Sequence, residues 1–258
     1  MSKEHDKKIS VVINTYNAEE FLAQTLDSVR SFDEIVICDM HSTDSTLQIA
    51  EQYGCKIVFH SKEPIVEPAR NFAIQLATYN WILLLDADET ITKEMKTYLQ
   101  DFISRAHTYK AIRMARRNFF MGRFMHGSYP DRIIRFFRKD AVHWGAHVHA
   151  IPEIDGDIYN LTTTEPKLAI NHLPQESVET IIAKLNRYSS ESVIHKQKKY
   201  SIFALFTKPF FHFFKPYILK KGFLDGKAGL IFAALKSQNA LMQVLKTWEK
   251  NSKNKMIQ

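Results

Sequence analysis

The sequence predicts an α/β protein built on a mostly parallel sheet, and three observations carry that prediction. Strand and helix signals alternate through the first third of the chain, the pattern of βαβ units. The run WILLLDADE at 81–89 is apolar and then ends in Asp86 and Asp88, as a strand buried on both faces does when it opens at its carboxyl end. Polar residues and carboxylates also follow the earlier strands, and open α/β sheets bind their ligands at those ends.

Each element has a local reason. Residues 9–14 (ISVVIN) are rich in β-branched side chains and form the first strand. Residues 18–30 place Phe21, Leu22, Leu26 and Val29 at helical spacing. Residues 34–38 (EIVIC) are a second strand closing on Asp39. Ser42, Thr43 and Asp44 offer N-cap oxygens for a helix running to about Tyr53, and Gly54 offers its stop. Residues 56–59 (KIVF) are a third strand, and a helix over 67–78 leads into WILLLDADE. A helix over 92–106 follows, then strands over 111–117, 132–138 and 167–171. The segment 118–131 between them, rich in aromatics, Gly, Met and His, reads as a long binding or lid loop. Beyond 174 only helical patterns remain, broken by Pro209, Pro216 and Gly222. The expected division is thus 1–173, an α/β domain, and 174–258, a helical extension.

With 258 residues, the chain is long enough for one large domain and an appendage. Its two cysteines, Cys38 and Cys55, lie in or beside strands without metal-ligand spacing, and read as core thiols of a reducing compartment. The polar start MSKEHDKKIS lacks the core of a signal peptide, and no apolar run reaches the length of a membrane span. The expectation is a cytoplasmic protein. Its net charge of +7 is divided unevenly: residues 196–258 carry +11 through 13 Lys and no Arg, and the first 195 carry −4. The tail interleaves Phe203, Phe206, Phe210, Phe211, Phe213, Phe214 and Tyr217 with Lys208, Lys215, Lys220 and Lys221. Rings and lysines on short helices suit an anionic bilayer surface, and packing of the rings in a core is the competing reading. No nucleic-acid-binding motif accompanies them, so no nucleic-acid partner is expected.

Three strand ends converge on one edge of a parallel sheet: Thr15, Tyr16 and Asn17, then Asp39, then Asp86 and Asp88. Neither GxGxxG nor GxxxxGK[ST] occurs, which weighs against dinucleotide enzymes and P-loop NTPases. Two hard oxygen donors at a sheet mouth suit a divalent cation that also holds a diphosphate.

Three pieces in order, ISVVINTYNAEEFLAQTLDSV, EIVICDMHSTDSTLQIA and WILLLDADE, resemble glycosyltransferase family 2, the inverting transferases of GT-A fold. Within the family, PARNFAI, RRNFFMGRFMHGSYPDRIIRFFRK, KLNRYSS and PFFHFFKPYILKKGFLDGKAGL look most like the bacterial lipopolysaccharide-core β-1,4-glucosyltransferases. The resemblance runs over about 9–248. It implies a nucleotide-sugar donor, UDP-glucose, a lipid-linked glycan acceptor bearing an inner-core heptose, and Mn²⁺ or Mg²⁺ as cofactor. It also implies residence at the inner membrane's cytoplasmic face. Thr15, Tyr16 and Asn17 would lie beneath the nucleotide and Asp39 would accept from the uracil. Asp86 would approach the ribose or metal, with Ala87 between the two acids, and Asp88 would ligate the metal. Arg70 would add charge near the phosphates. Inversion needs a base for the acceptor hydroxyl, and Asp131 in SYPDRIIRFFR stands where the family keeps its acceptor-side acid. The family's Val-His-Glu element reads here Val148, His149, Ala150, with Glu153 three residues on, so Glu153 is the alternative base. Of His143, His147, His149 and His172, His149 is the first choice as an added metal ligand. The altered element also leaves open a catalytically silent glycan- or lipid-binding protein, and another polysaccharide or protein glycan as acceptor.

Overall fold

A computed structural model of the chain describes residues 5–63, 66–145, 151–173, 177–195 and 199–256. The chain forms two compact units, one of residues 1–117 and 130–173, the other of 118–129 and 174–258. The expected division at 173/174 therefore differs in one respect: the aromatic segment 118–129 groups with the helices.

In the first unit β1 (Ile9–Thr15), α1 (Glu19–Val29), β2 (Glu34–Asp39), α2 (Thr46–Gln52), β3 (Lys56–Phe59), α3 (Glu67–Leu76) and β4 (Trp81–Asp86) follow the predicted alternation. They continue into β5 (Glu89–Thr90), α4 (Lys93–Ser104) and β6 (Ala111–Phe120). β7 (Arg123–Phe124) is followed by β8 (Asp131–Arg138), β9 (Val142–His143), β10 (Glu153–Ile154), β11 (Ile158–Asn160) and β12 (Ala169–His172). Strands β1 to β4 are parallel, in the order β3-β2-β1-β4, and β8 joins β4 antiparallel, followed by β6, β12 and β5. β1 is flanked by β2 on one side and β4 on the other, so the order reverses between β1 and β4. That is the switch point at which open sheets leave a crevice.

Alternation along the strands sorts the core onto two faces. Val11, Ile13, Leu83 and Leu85 pack with Leu22, Leu26, Met95 and Leu99 from α1 and α4. Val12, Val36, Ile82 and Leu84 pack with Ala69, Ala73 and Ile74 of α3. Both faces of β1 and β4 are covered, which is why their sequences are continuous apolar runs. α4 starts as its sequence predicts: the Thr92 side chain accepts from the Met95 N–H at 3.0 Å.

The cap expected for α2 is used differently. Asp44 accepts from the Thr46 N–H at 3.0 Å, but it also accepts from the Glu19 N–H at 3.1 Å, and Thr46 Oγ1 accepts from the Ala18 N–H at 2.8 Å. The polar loop 40–46 thus satisfies amides at the start of α1, its neighbour across the sheet edge.

The second unit holds α5 (Val178–His195), α6 (Ala204–Phe214), a π-helical turn (Lys215–Leu219) and α7 (Gly226–Met256). The segment expected as an irregular loop is partly a hairpin: Phe120 pairs with Arg123 across Met121 and Gly122. Both turn residues have positive φ, 50° and 70°, as a two-residue type I′ turn requires. Phe120 and Met125 pack against Ala228 and Leu235 of α7. The Asp225 carboxylate accepts from the His126 and Gly127 amides at 3.1 and 3.2 Å and from His126 Nδ1 at 2.6 Å. Among the described residues, no helix is long and apolar enough to cross a membrane.

Candidate active site

Register alone assembles the site. Thr15 pairs with Asp39 and Asn14 with Asp86, so the ends of β2, β1 and β4 stand side by side. Asp39 and Asp86 are then separated by two strand spacings, roughly 10 Å between Cα atoms.

The turn after β4 is held from four directions. The Glu89 carboxylate accepts from the Asp86 N–H at 3.0 Å, and Thr25 of α1 donates to the Ala87 carbonyl at 2.7 Å. The Leu173 N–H donates to the Asp88 carbonyl at 3.0 Å. His172 pairs with Glu89 in the antiparallel β12–β5 ladder, and this brings its Nε2 to 3.3 Å from the Asp88 carboxylate. Both side chains keep about a quarter of their surface exposed, 26% for Asp88 and 24% for His172. The pair therefore presents one carboxylate and one imidazole toward solvent at the mouth of the sheet.

Asp86 behaves differently from Asp88. Arg70 donates to its Oδ1 at 2.7 Å and Arg135 donates to its Oδ2. Burial opposes its charge, but the guanidiniums of Arg135, Arg70 and Arg116 outweigh this and hold its carboxyl well below the ordinary range. Asp86, expected to approach the ribose or the metal, thus has an arginine facing each of its oxygens.

Those contacts belong to a longer chain of alternating charge. Arg135 also donates to Glu89 at 3.3 Å, Glu89 accepts from Arg116 at 3.0 Å, and Arg116 donates to Asp131 Oδ2 through Nε and Nη2 at 3.0 and 2.8 Å. Glu89 has no exposed side-chain surface. Burial opposes the charge of both arginines, but Glu89 and Asp131 raise the affinity of Arg116 for its proton, and Asp86 and Glu89 raise that of Arg135. Three arginines and three carboxylates, from Arg70 to Asp131, thus form one connected array beneath the crevice. Arg70 is no surface arginine: its guanidinium also lies 5.0 Å from the Trp144 ring centre.

The other predicted residues are placed as follows. Asp39 is fully buried and accepts from Thr15 Oγ1 at 2.7 Å, from the Ser42 N–H at 2.7 Å and from Ser42 Oγ at 2.6 Å. In this state its carboxylate braces the two loops of the crevice. Asn17, at φ 49°, accepts from the Thr43 N–H at 2.8 Å and donates its own N–H to Ser42 Oγ at 2.9 Å. Tyr16 is exposed, with Lys62 Nζ 3.5 Å from its ring centre. Glu153 is exposed on the two-stranded β9–β10 ribbon opposite His143. Among the described residues it has no hydrogen bond to the arginine–carboxylate array. His149 and His147 lie outside the described residues.

The donors present fit a divalent cation. Among the described residues no group of three or more His, Cys, Asp or Glu could hold a metal ion by itself. Asp88 and His172 offer one oxygen and one nitrogen. Mg²⁺ and Mn²⁺ accept such partial protein sets when a substrate's phosphates supply the remaining oxygens.

A parallel α/β sheet with an Asp-Ala-Asp turn at its switch point is a GT-A-type architecture. Residues 10–151 match the family model described as glycosyl transferase family 2. The chain belongs to that family and is a glycosyltransferase. It is 28% identical over 288 residues to a Rickettsia felis protein named an uncharacterized glycosyltransferase, covering 96% of this chain and 98% of that protein. It is 24% identical over 255 residues to the lipopolysaccharide core biosynthesis glycosyltransferase LpsC of Rhizobium meliloti, covering 88% and 89%. Among solved structures, TarS 1–349 of S. aureus aligns with a TM-score of 0.49 at 17% identity, over 95% of this chain and 92% of that one.

Proposed function

We propose that the chain transfers glucose from UDP-glucose, with inversion, to an inner-core heptose of a lipid-linked lipopolysaccharide precursor at the cytoplasmic face of a membrane. The observation that carries the donor half is the Asp88–His172 pair at the β1/β4 crevice, beside an Asp86 already neutralised by arginines. The name and near-complete coverage of the LpsC relative support the acceptor half.

In this reading Asp88 and His172 would hold Mn²⁺ or Mg²⁺, and the ion would supply Lewis-acid stabilisation of charge on the departing UDP. Thr15, Tyr16 and Asn17 form the nucleotide's floor, and the Asp39 brace keeps that floor in place. Arg70 and Arg135 stand at the diphosphate end as fixed positive charge. Asp131, oriented by two N–H groups of Arg116, takes the proton from the acceptor hydroxyl as that oxygen attacks the anomeric carbon. Glu153, on its separate ribbon, is the less economical base.

The test is transfer of labelled glucose from UDP-glucose to a heptose-terminated core acceptor with Mn²⁺. Asp88→Ala and His172→Ala are expected to lose on the order of a hundredfold in turnover. Full activity in Asp88→Ala sinks the metal assignment, and transfer from a different sugar nucleotide alone sinks the donor.

A further inference from the structure

The helical unit carries a surface that the transfer site does not use. Phe203 at the N-cap of α6, and Phe206 and Phe210 within it, recur at i, i+3 and i+7 along one face and are 74%, 70% and 68% exposed. At that exposure three phenyl rings present roughly 400 Å² of apolar surface. This equals the largest patch of an ordinary monomer before Ile202 and Leu219 are added. No residue of α6 is fully buried; Phe213 and Phe214 are half-buried, but core packing does not account for the three exposed rings. Beside this face runs an open groove of about 1000 Å³, lined by Leu205, Phe206, Pro209, Phe210, Leu241 and Leu245 of α6 and α7.

Charge identifies the occupant. Burial, and then the charges of Lys208, Lys215 and Lys236, push down the imidazole of His212 in the last turn of α6. Lys215 Nζ also lies 5.8 Å from the ring centre of Phe211, which lines the groove, so ammonium charge stands at the groove's edge. The two acids of the tail do not offset them: Asp225 is buried against His126, and Glu249 acts on Lys246 near the far end of α7. A second copy of this chain would bring the same lysines against themselves. An anionic bilayer instead offers hydrocarbon to the rings and phosphates to the lysines in one layered surface.

We propose that the Phe203–Phe206–Phe210 face of α6, with its groove and bordering lysines, docks the protein on an anionic lipid bilayer. The rings enter at headgroup depth, the groove takes up acyl chain, and Lys208, Lys215 and Lys236 meet lipid phosphates. This deepens the proposed function only in naming the surface that meets a lipid-borne acceptor. Its test needs neither donor nor acceptor, so failure of transfer and failure of docking are read separately.

The experiment is flotation of the full chain with vesicles of phosphatidylcholine alone, or with about a third phosphatidylglycerol. Flotation is expected on the anionic vesicles, at least roughly tenfold weaker on the neutral ones, and lowered by salt. Phe206→Ser/Phe210→Ser is expected to reduce the partition coefficient on the order of a hundredfold. Lys208→Gln/Lys215→Gln is expected to reduce it roughly tenfold on anionic vesicles only. Circular dichroism and UDP binding of each variant check that the fold is intact. If the double serine variant does not fold, Phe210→Trp gives a second readout: emission that shifts to the blue on anionic vesicles and is quenched by brominated acyl chains. No flotation on anionic vesicles overturns the proposal, as does undiminished flotation of a folded serine variant. A concentration-dependent dimer without vesicle binding, abolished by the same serines, assigns the face to self-association and overturns it too.

Discussion

Glu89→Gln changes one buried oxygen for an amide and removes the carboxylate that bonds both Arg116 and Arg135. In the native chain Glu89 accepts from Arg116 at 3.0 Å, from Arg135 at 3.3 Å and from the Asp86 N–H at 3.0 Å, with no surface exposed. At an effective dielectric near 20, each contact with an arginine is worth about 4 kcal/mol of gross Coulomb energy. The variant forfeits both, but it also no longer buries a carboxylate, which returns much of that sum. The net expectation is the cost of breaking a buried pair from one side, about 3–5 kcal/mol. For a domain of this size that lowers the melting temperature by roughly 6–20 °C. Circular dichroism melts give the loss, and a double-mutant cycle with Arg116→Gln separates the charge from the shape. The double variant restores neutrality and is expected to recover on the order of 1–3 kcal/mol. A melt within about 2 °C of the native one, or a double variant whose losses merely add, refutes the idea that the array acts as one electrostatic unit.

Burial, and for Cys38 the neighbouring Asp39 charge, push the Cys38 and Cys55 thiols up to about 11. Iodoacetamide labelling of the native protein at mildly alkaline pH, followed by mass spectrometry, should therefore run roughly a hundredfold slower than for a free thiol; fast labelling refutes this. Burial opposes the charge of Glu34, yet bonds from Ser10 and Thr78 and the charge of Lys56 leave its carboxyl below the ordinary value of 4.5. A depressed acid contributes stability above its unfolded value and loses it as pH falls through the folded one. The stability gap between native protein and Glu34→Gln should accordingly shrink between neutral pH and about pH 3, and urea melts showing a constant gap contradict it. Mn²⁺-dependent UDP binding, measured by calorimetry, should fall on the order of tenfold or more in His172→Ala, while its melting temperature stays near native. Equal affinity with and without metal in the native protein removes the role given to His172.

The parallel half of the sheet was legible because each of its signals is local. Strand β4 is apolar on both faces, and the Asp86–Ala87–Asp88 turn follows it directly, so the crevice could be located from one stretch of sequence. The partners of that turn were not legible. Arg135 comes three residues after Arg132 and three before Arg138, a spacing that the two-residue period of a strand does not assign to one face, and it is buried. Only the antiparallel docking of β8 between β4 and β6 turns it toward Asp86. Nothing local separates His172 from His143, His147 and His149, since its approach to Asp88 depends on β12 pairing with β5, far apart in sequence. The hairpin at Met121–Gly122 was missed for a simpler reason: a Met at φ 50° is not the Asn or Asp that usually announces such a turn.

The alternating array also governs how the antiparallel half of the sheet is threaded. β6 and β8 slip relative to each other at a bulge between Ile112 and Arg113, and beyond it Arg116 lies directly opposite Asp131. The surrounding residues RIIRFFR would tolerate a shift by alternation alone, because apolar side chains occur on both faces of β8. A shift of one residue would carry Arg116 and Arg135 to the wrong side of the sheet and leave Glu89 buried without a cation. Charge here selects one alignment over its neighbours. The chemistry that would receive a substrate is the same chemistry that tells two strands where to stop sliding.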